Sequence, residues 1–210
     1  MSVSVSVSAV EIETPHGPAR AHLQEGEGPP RGAVVLGHGA GGGVTARDLA
    51  AAAGAARAAG FAVALVEQPY RVAGRRSPAP AHQLDNAWVA VVAQLRAGPL
   101  ADLPLVAGGR SSGARVACRT ASATGAVGVL CLAFPLRPPA RAGAAARPSR
   151  IDELDAVSVP TLVVQGANDR FGVPPPGRRR TVAVVAGDHA LRGDLAAVAE
   201  AVSGWLAGLL

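Results

Sequence analysis

A chain of 210 residues suits a single domain and can bury about 70% of the surface that it exposes when unfolded. Hydrophobic residues make up 49% of the sequence and charged residues only 17%, which excludes a disordered chain and favours a large aliphatic core. The basic residues behind the net charge of +5 are all arginines, and most are scattered singly, so nucleic-acid binding is not expected.

The first part of the chain predicts a β-hairpin. Residues 2–8 alternate Ser and Val, which fits either a frayed edge strand or a disordered tail. Strand-like segments 10–12 and 19–23 flank a turn rich in Pro and Gly, so we expect them to pair antiparallel. The sequence contains no run of 18 apolar residues and no signal-peptide pattern, and we expect residues 1–210 to form one soluble, cytoplasmic domain without a membrane segment.

From residue 33 onward, short apolar runs alternate with segments of helical periodicity. The runs predict strands at 33–36, 61–66, 105–107, 126–134, 160–165 and 181–185. A first helix is predicted to open at a capping box of Thr45 and Asp48. Further helices are predicted at 84–95, 116–123 and 195–209. Repeated βα units favour an α/β fold with a mainly parallel, doubly wound sheet, whose ligands bind beyond the carboxyl ends of the strands. The long connections 68–81 and 136–151 lack a sustained apolar period, so no cap domain is expected.

Ser111 lies between a predicted strand and a predicted helix, in the sequence Gly-Arg-Ser-Ser-Gly. The pattern G-x-S-x-G at such a place is typical of a nucleophile elbow, where crowding admits only very small side chains two positions before and after the serine. A serine at the start of a helix can also be an ordinary N-cap. The preceding strand and the following helix favour the elbow.

An acid and a base follow two later predicted strands. Asp169 comes after the strand 160–165 and His189 after the strand 181–185, so the chain order is Ser, Asp, His, which is the order of α/β-hydrolases. In this arrangement His189 takes the proton of the Ser111 hydroxyl, and Asp169 holds the imidazole in the required tautomer. Taken singly, Asp169 is equally well read as a turn residue and His189 as a surface histidine.

Other residues near these strand ends have competing or supporting roles. His38 competes for the role of base, but it lies in the glycine-rich loop 37–43, which is needed for backbone donors. Asp188 competes for the role of acid, but its side chain points away from that of its neighbour. An oxyanion hole is expected from the backbone N–H groups of Ser112 and Ala40. A phosphate loop is a poorer interpretation of the glycine-rich loop, because the loop lacks the Lys-Ser/Thr ending.

Five segments together resemble small capless bacterial α/β-hydrolases, often labelled dienelactone-hydrolase-like. The segments are LGHGAGGG (36–43), PYRVAGRR (69–76), GGRSSGAR (108–115), QGANDRFG (165–172) and GDH (187–189). The resemblance implies an α/β-hydrolase fold from about residue 33 onward, with Ser111 as nucleophile, Asp169 as acid and His189 as base, and it implies no known substrate. The chain departs from the family at 173–180, where successive prolines exclude a helix and leave the acid loop less braced.

These features predict a serine hydrolase that cleaves an ester, thioester or amide through an acyl-Ser111 intermediate. The alternative is a catalytically silent binding or scaffold protein, because a fold does not by itself certify activity. The expected partner is a small-molecule acyl substrate that carries an anionic group, recognised by Arg110 or Arg71. In the competing interpretation, Arg110 bonds carbonyls near the elbow and the loop arginines are solvated.

The sequence predicts neither a cofactor nor a metal site. Its two cysteines, Cys118 and Cys131, match no metal-binding or redox spacing, so we expect buried free thiols. The oligomeric state does not follow from the sequence.

Overall fold

In a computed structural model, which describes residues 7–24, 28–138 and 147–210, eight strands form one sheet. The strands are β1 (Val7–Ile12), β2 (Ala19–Gln24), β3 (Gly32–Gly37), β4 (Phe61–Glu67), β5 (Leu105–Arg110), β6 (Gly128–Leu132), β7 (Thr161–Gly166) and β8 (Arg180–Val185). Their order across the sheet is β1-β2-β4-β3-β5-β6-β7-β8. The pairs β1/β2 and β2/β4 are antiparallel and all other neighbours are parallel, which confirms the predicted hairpin and the mainly parallel sheet.

Helices cover both faces of this sheet. They are α1 (Arg47–Ala58), α2 (Pro69–Val72), α3 (Ala81–Arg96), α4 (Ser112–Thr124), α5 (Ile151–Asp155) and α6 (Leu195–Ala207). In β3, Val34 and Leu36 belong to the core beneath α1 and α6, whereas Ala33 and Val35 belong to the core beneath α3 and α4. Because both faces of β3 are buried, its sequence is continuously apolar rather than alternating. None of the helices described here is long and apolar enough to cross a bilayer.

The chain order of the strands creates a crevice at one edge of the sheet. From β3 the chain crosses to β4 on one side, and it later returns to β5 on the other side. At such a switch point the loops after the two central strands separate, and ligands bind between them. The loop after β3 and the corner after β5 therefore flank the place where a site is expected.

Several local predictions are wrong. The capping box is absent: α1 begins at Arg47, its N-cap Ala46 makes no side-chain hydrogen bond, and the Asp48 carboxylate is instead paired inside the protein. Two short helices, α2 and α5, lie where only connections were predicted. Between β6 and β7 the described residues contain α5 and no cap helix over the site, while residues 139–146 of that connection lie outside the described part.

Other local predictions are confirmed. The first described residues, from Val7, belong to β1, while residues 1–6 of the predicted tail lie outside the described part. The proline-rich segment 173–180 contains no helix. The two cysteines are buried free thiols whose Sγ atoms are 3.5 Å apart.

Candidate active site

Ser111 occupies a strained corner between β5 and α4. Its backbone has φ 52° and ψ −107°, a conformation that costs a residue with a side chain about 1–3 kcal/mol. The two flanking glycines allow the corner to pack against β3. A Cβ atom on Gly109 would lie 2.5 Å from the carbonyl oxygen of Gly37, and one on Gly113 would meet the same backbone. The glycines of the elbow are therefore required by the packing of the corner and not only by its turn.

His189 contacts both Ser111 and Asp169. The Ser111 Oγ lies 2.9 Å from the imidazole Nε2, and the Asp169 Oδ2 lies 2.7 Å from Nδ1. Because a carboxylate only accepts, the proton of the neutral ring is on Nδ1, and Nε2 is left to accept from the serine hydroxyl. The three side chains come from the loops after β5, β7 and β8, so the parallel sheet brings together residues that are far apart in sequence.

The loop that carries Asp169 is braced by the strand that precedes it. Gln165, at the end of β7, is fully buried, and its Nε2 lies 2.7 Å from Asp169 Oδ2, 3.1 Å from the Phe134 carbonyl oxygen and 3.0 Å from that of Gly172. The backbone N–H of Phe171 donates to the other carboxylate oxygen of Asp169 at 2.9 Å. These bonds hold the carboxylate without the helix that the prolines exclude.

The Phe171 ring also limits the movement of the imidazole. Its centroid lies 4.4 Å from that of the His189 ring, with 60° between the two planes. The guanidinium carbon of Arg170 lies 4.9 Å from the centroid of the same phenyl ring. One loop after β7 therefore supplies both the carboxylate that orients His189 and the apolar surface against which the ring packs.

His38 and Tyr70 hold the glycine-rich loop after β3. The N–H of Gln68 donates to His38 Nε2 at 3.1 Å, so the ring carries its proton on Nδ1, which donates to the Gly39 carbonyl oxygen at 2.8 Å. Burial lowers the pKa of His38 from 6.5, which favours this neutral form. The Tyr70 hydroxyl donates to the Ala40 carbonyl oxygen at 2.9 Å, and burial raises the pKa of Tyr70 to about 12.

His38 and Asp188, the competitors for the roles of base and acid, make other contacts. Both ring nitrogens of His38 are bonded to backbone groups. Asp188 accepts a hydrogen bond from the N–H of Ala190 at 2.9 Å and caps the turn that follows His189. The contact with Ser111 Oγ is made by His189, and the contact with His189 Nδ1 is made by Asp169.

The N–H groups of Ala40 and Ser112 lie at the switch point. Ser112 is the first residue of α4, so its N–H has no acceptor within the helix. Neither N–H donates to another group among the residues that the structure describes. Both groups are therefore available as donors.

Arg110 makes its contacts inside the protein. Its Nε donates to the buried Asp48 carboxylate at 2.7 Å, and its Nη2 donates to the His189 carbonyl oxygen at 3.0 Å. These contacts favour the competing interpretation, in which Arg110 bonds carbonyls near the elbow. Arg71, the other predicted substrate ligand, is half-buried, and its Nη1 donates to the Arg75 carbonyl oxygen at 3.2 Å.

A cleft of about 420 Å³ lies between the glycine-rich loop and the loop after β8. Its lining includes three arginines, Arg47, Arg110 and Arg192, together with the paired carboxylate Asp48. Arg47 and Arg192 are exposed, so the cleft presents positive charge beside the site. Two further clefts, of about 410 and 360 Å³, lie beside α5 and contain none of the predicted site residues.

Sequence reasoning missed several residues that shape the site. Gln165 interrupts an apolar strand run, and a buried polar residue at a strand end is the only signal that could have revealed it. The spacing Thr-x-x-Asp is typical of a helix cap, so the sequence predicts a cap at Asp48 and does not indicate its ion pair with Arg110. Arg47 and Arg192 carry no sequence signal, since an isolated loop arginine is usually solvated.

The sheet order and the strained serine corner define a protein with an α/β-hydrolase fold. Residues 30–193 match the family described as alpha/beta hydrolase domain. The chain therefore belongs to the alpha/beta hydrolase family, which confirms the resemblance read from the sequence. No protein with a curated description matches this sequence.

Solved structures from several bacteria share the fold. XC6422 from Xanthomonas campestris, described as an α/β serine hydrolase without a lid, is 20% identical with a TM-score of 0.76, over 95% of this chain and 93% of that one. Est1E from Butyrivibrio proteoclasticus is 16% identical with a TM-score of 0.75, over 95% and 97% of the two chains. Dienelactone hydrolase from Anabaena variabilis ATCC 29413 is 18% identical with a TM-score of 0.73, over 98% and 99%. At such identities the likeness shows a shared fold.

Proposed function

We propose that this protein hydrolyses a small ester, thioester or amide through an acyl-enzyme intermediate on Ser111, with His189 as general base and Asp169 as its orienting acid. The observation that carries the proposal is the continuous chain of contacts from Asp169 Oδ2 to His189 Nδ1 and from His189 Nε2 to Ser111 Oγ, at 2.7 and 2.9 Å. A serine hydroxyl is a weak nucleophile until an adjacent base accepts its proton. In this proposal His189, whose Nε2 lies 2.9 Å from Ser111 Oγ, is that base.

In the acylation step, Ser111 Oγ attacks the carbonyl carbon of the substrate and forms the new C–O bond. The hydroxyl proton passes to His189 Nε2, and the π electron pair moves to the carbonyl oxygen. Asp169 stabilises the resulting imidazolium through Nδ1. Collapse of the tetrahedral intermediate breaks the bond to the leaving group, which takes the proton from Nε2 as it departs.

The oxyanion of this intermediate is assigned to the N–H groups of Ala40 and Ser112. Their position at the switch point and their lack of other acceptors among the described residues support this assignment. The hydrogen bonds of Tyr70 and His38 to the carbonyls of Ala40 and Gly39 fix the loop before the substrate binds. Preorganised donors of this kind are usually the largest contribution to catalysis of acyl transfer.

In the deacylation step, water takes the place of the leaving group. His189 Nε2 removes a proton from water, whose oxygen attacks the acyl carbon. Collapse of the second intermediate releases the carboxylic acid and returns the proton to Ser111 Oγ. No cofactor takes part in either step as proposed.

The substrate is proposed to carry an anionic group. The positive charge of the cleft lined by Arg47 and Arg192, which opens beside Arg110, supports this class of substrate. Planar guanidinium groups bind carboxylates and phosphates with two parallel hydrogen bonds. Arg71 remains a predicted ligand of the same anionic group of the substrate. It follows Tyr70, whose hydroxyl bonds the glycine-rich loop at Ala40.

A fluorophosphonate probe tests the proposed function directly. We expect covalent labelling of the native protein, abolished in Ser111→Ala and strongly slowed in His189→Gln. Labelling of Ser122→Ala, an exposed serine on α4, serves as the control and is expected to match the wild type. Unlabelled native protein, or undiminished labelling of Ser111→Ala, would favour the alternative of a catalytically silent binding protein.

A further inference from the structure

The side chain of Arg110, at the end of β5, contacts two further loops of the proposed site, the glycine-rich loop after β3 and the loop after β8. Its own backbone precedes Ser111 at the elbow, and its Nη2 donates to the carbonyl oxygen of His189 at 3.0 Å. Its Nη1 packs against Gly39 in the glycine-rich loop after β3, so closely that a Cβ atom added to Gly39 would lie 2.8 Å from that nitrogen. One rigid planar group therefore spans the nucleophile, the base and the glycine-rich loop.

Asp48 fixes the orientation of this guanidinium. Its carboxylate is almost fully buried, with 1% of the side chain exposed, and its Oδ2 accepts from Arg110 Nε at 2.7 Å. The other oxygen, Oδ1, accepts from the N–H of Leu49 at 3.0 Å, which ties the carboxylate to the first turn of α1. Asp48 is therefore held in place by α1. Asp48 in turn fixes the guanidinium of Arg110, which bonds the loop after β8.

Arg110 and Asp48 also depend on each other for charge. The Asp48 carboxylate compensates the Arg110 cation. Removing Asp48 alone therefore leaves the guanidinium without its anchor, whereas removing Arg110 alone leaves a buried carboxylate without its partner.

We propose that Arg110, anchored by Asp48, is a positioning residue that holds the backbone of His189 in register with Ser111, and that it is not a ligand of the substrate. The inference rests on the proposed function, because it concerns the same serine and histidine. Two of the three guanidinium nitrogens already donate to Asp48 and His189, and the third packs against Gly39.

Steady-state hydrolysis of p-nitrophenyl acetate tests this role in Arg110→Gln, Arg110→Lys and Asp48→Asn. We expect kcat of Arg110→Gln to fall about 10²-fold, because misplacing a catalytic group by an ångström has effects of that size. KM should change less than about threefold, since the substrate is not bound by Arg110. Arg110→Lys retains a charge for Asp48, but a single ammonium cannot also reach the His189 carbonyl, so we expect the melting temperature to recover and kcat to remain low.

Asp48→Asn removes the anchor and leaves Arg110 and the substrate untouched. We expect kcat to fall while KM changes less than about threefold, a split that a merely structural role would not produce. Because Asp48 acts through Arg110, Asp48→Asn combined with Arg110→Gln should lose no more activity than Arg110→Gln alone.

The pair of Arg119 and Asp85 provides a matched control. Their bidentate contacts, at 2.6 and 2.8 Å, join α4 to α3 on the other face of the sheet. Arg119→Gln and Asp85→Asn are expected to lower the melting temperature with kcat unchanged, when rates are normalised to the fraction of protein that a fluorophosphonate labels. The inference is overturned if Arg110→Lys and Asp48→Asn retain the kcat of these controls. Labelling distinguishes this failure from failure of the proposed function. If only this inference fails, the fluorophosphonate still labels the wild-type protein. If the wild type is not labelled, the proposed function itself fails.

Discussion

The strained backbone at Ser111 predicts that two substitutions that both remove the hydroxyl differ in stability. Ser111→Gly should be more stable than Ser111→Ala. Ser111→Ala and Ser111→Gly both remove the hydroxyl and its contact with His189, so this loss cancels in the comparison. They differ in the backbone, since φ 52° and ψ −107° are strained for alanine but not for glycine.

The expected difference follows from two opposing terms. Relief of the strained conformation stabilises Ser111→Gly by about 1–3 kcal/mol relative to Ser111→Ala. The greater backbone freedom of glycine in the unfolded chain costs about 0.5–1 kcal/mol. From the middle of each range, the free energy of unfolding of Ser111→Gly should therefore exceed that of Ser111→Ala by about 1 kcal/mol. In a chain of this length the difference corresponds to a melting temperature higher by about 2–4 °C.

Differential scanning calorimetry of the two variants in the same buffer measures this difference, and urea unfolding checks it independently. A glycine substitution at Ser112, the first residue of α4, controls for the unfolded-state term, because that position has helical backbone geometry. There Ser112→Gly should be no more stable than Ser112→Ala. If Ser111→Gly melts at or below the temperature of Ser111→Ala, the corner stores no strain and this reasoning is wrong.

The remaining predictions concern pH and substrate charge. Burial lowers the pKa of His38 in the folded protein below 6.5, so below that pH the unfolded chain binds the proton more readily and stability falls as pH decreases. Urea unfolding at about pH 7 and pH 5 should show that the free energy of unfolding falls less in His38→Gln than in the wild type. Equal losses would contradict a His38 held neutral by burial in the folded protein. In hydrolysis of matched p-nitrophenyl esters, Arg71→Ala, Arg47→Ala and Arg192→Ala should each lower the rate ratio of carboxylate-bearing to neutral ester, by up to about tenfold, and less at high salt. Arg179→Ala, beside α5, serves as the charge-matched control, and a ratio that none of the three test variants changes would exclude anion recognition by these arginines.

The sequence was sufficient for those features that backbone sterics or burial impose on residue type. Strands buried on both faces require continuous apolar runs, which is why β3 and β4 could be located nearly to the residue. The corner at Ser111 requires glycines at 109 and 113, because any side chain there meets the backbone of Gly37. Once the sheet was predicted to be parallel, the three loops after β5, β7 and β8 had to meet at one edge.

The features that the sequence did not reveal depend on partners that are remote in the chain. Asp48 and Arg110 are separated by 62 residues, and nothing local distinguishes a buried ion pair from a helix cap and an exposed arginine. The helices α2 and α5 have four and five residues, which is too short to show a helical period. The bracing role of Gln165 is visible only in the folded protein, where its side chain contacts Phe134, Asp169 and Gly172.

The position of β8 at the edge of the sheet has a consequence for how the molecule acquires reactivity as it folds. Among the strands that the structure describes, β8 pairs only with β7, and the loop after it brings His189 to Ser111 across 78 residues of chain. Parallel pairings between distant segments form slowly, because each requires closure of a long crossover. A folding intermediate that has ordered β3, β4 and β5 therefore contains the serine corner but no base. During refolding we expect the far-ultraviolet circular dichroism signal to return first, and the capacity of Ser111 to react with a fluorophosphonate to return only when β8 docks.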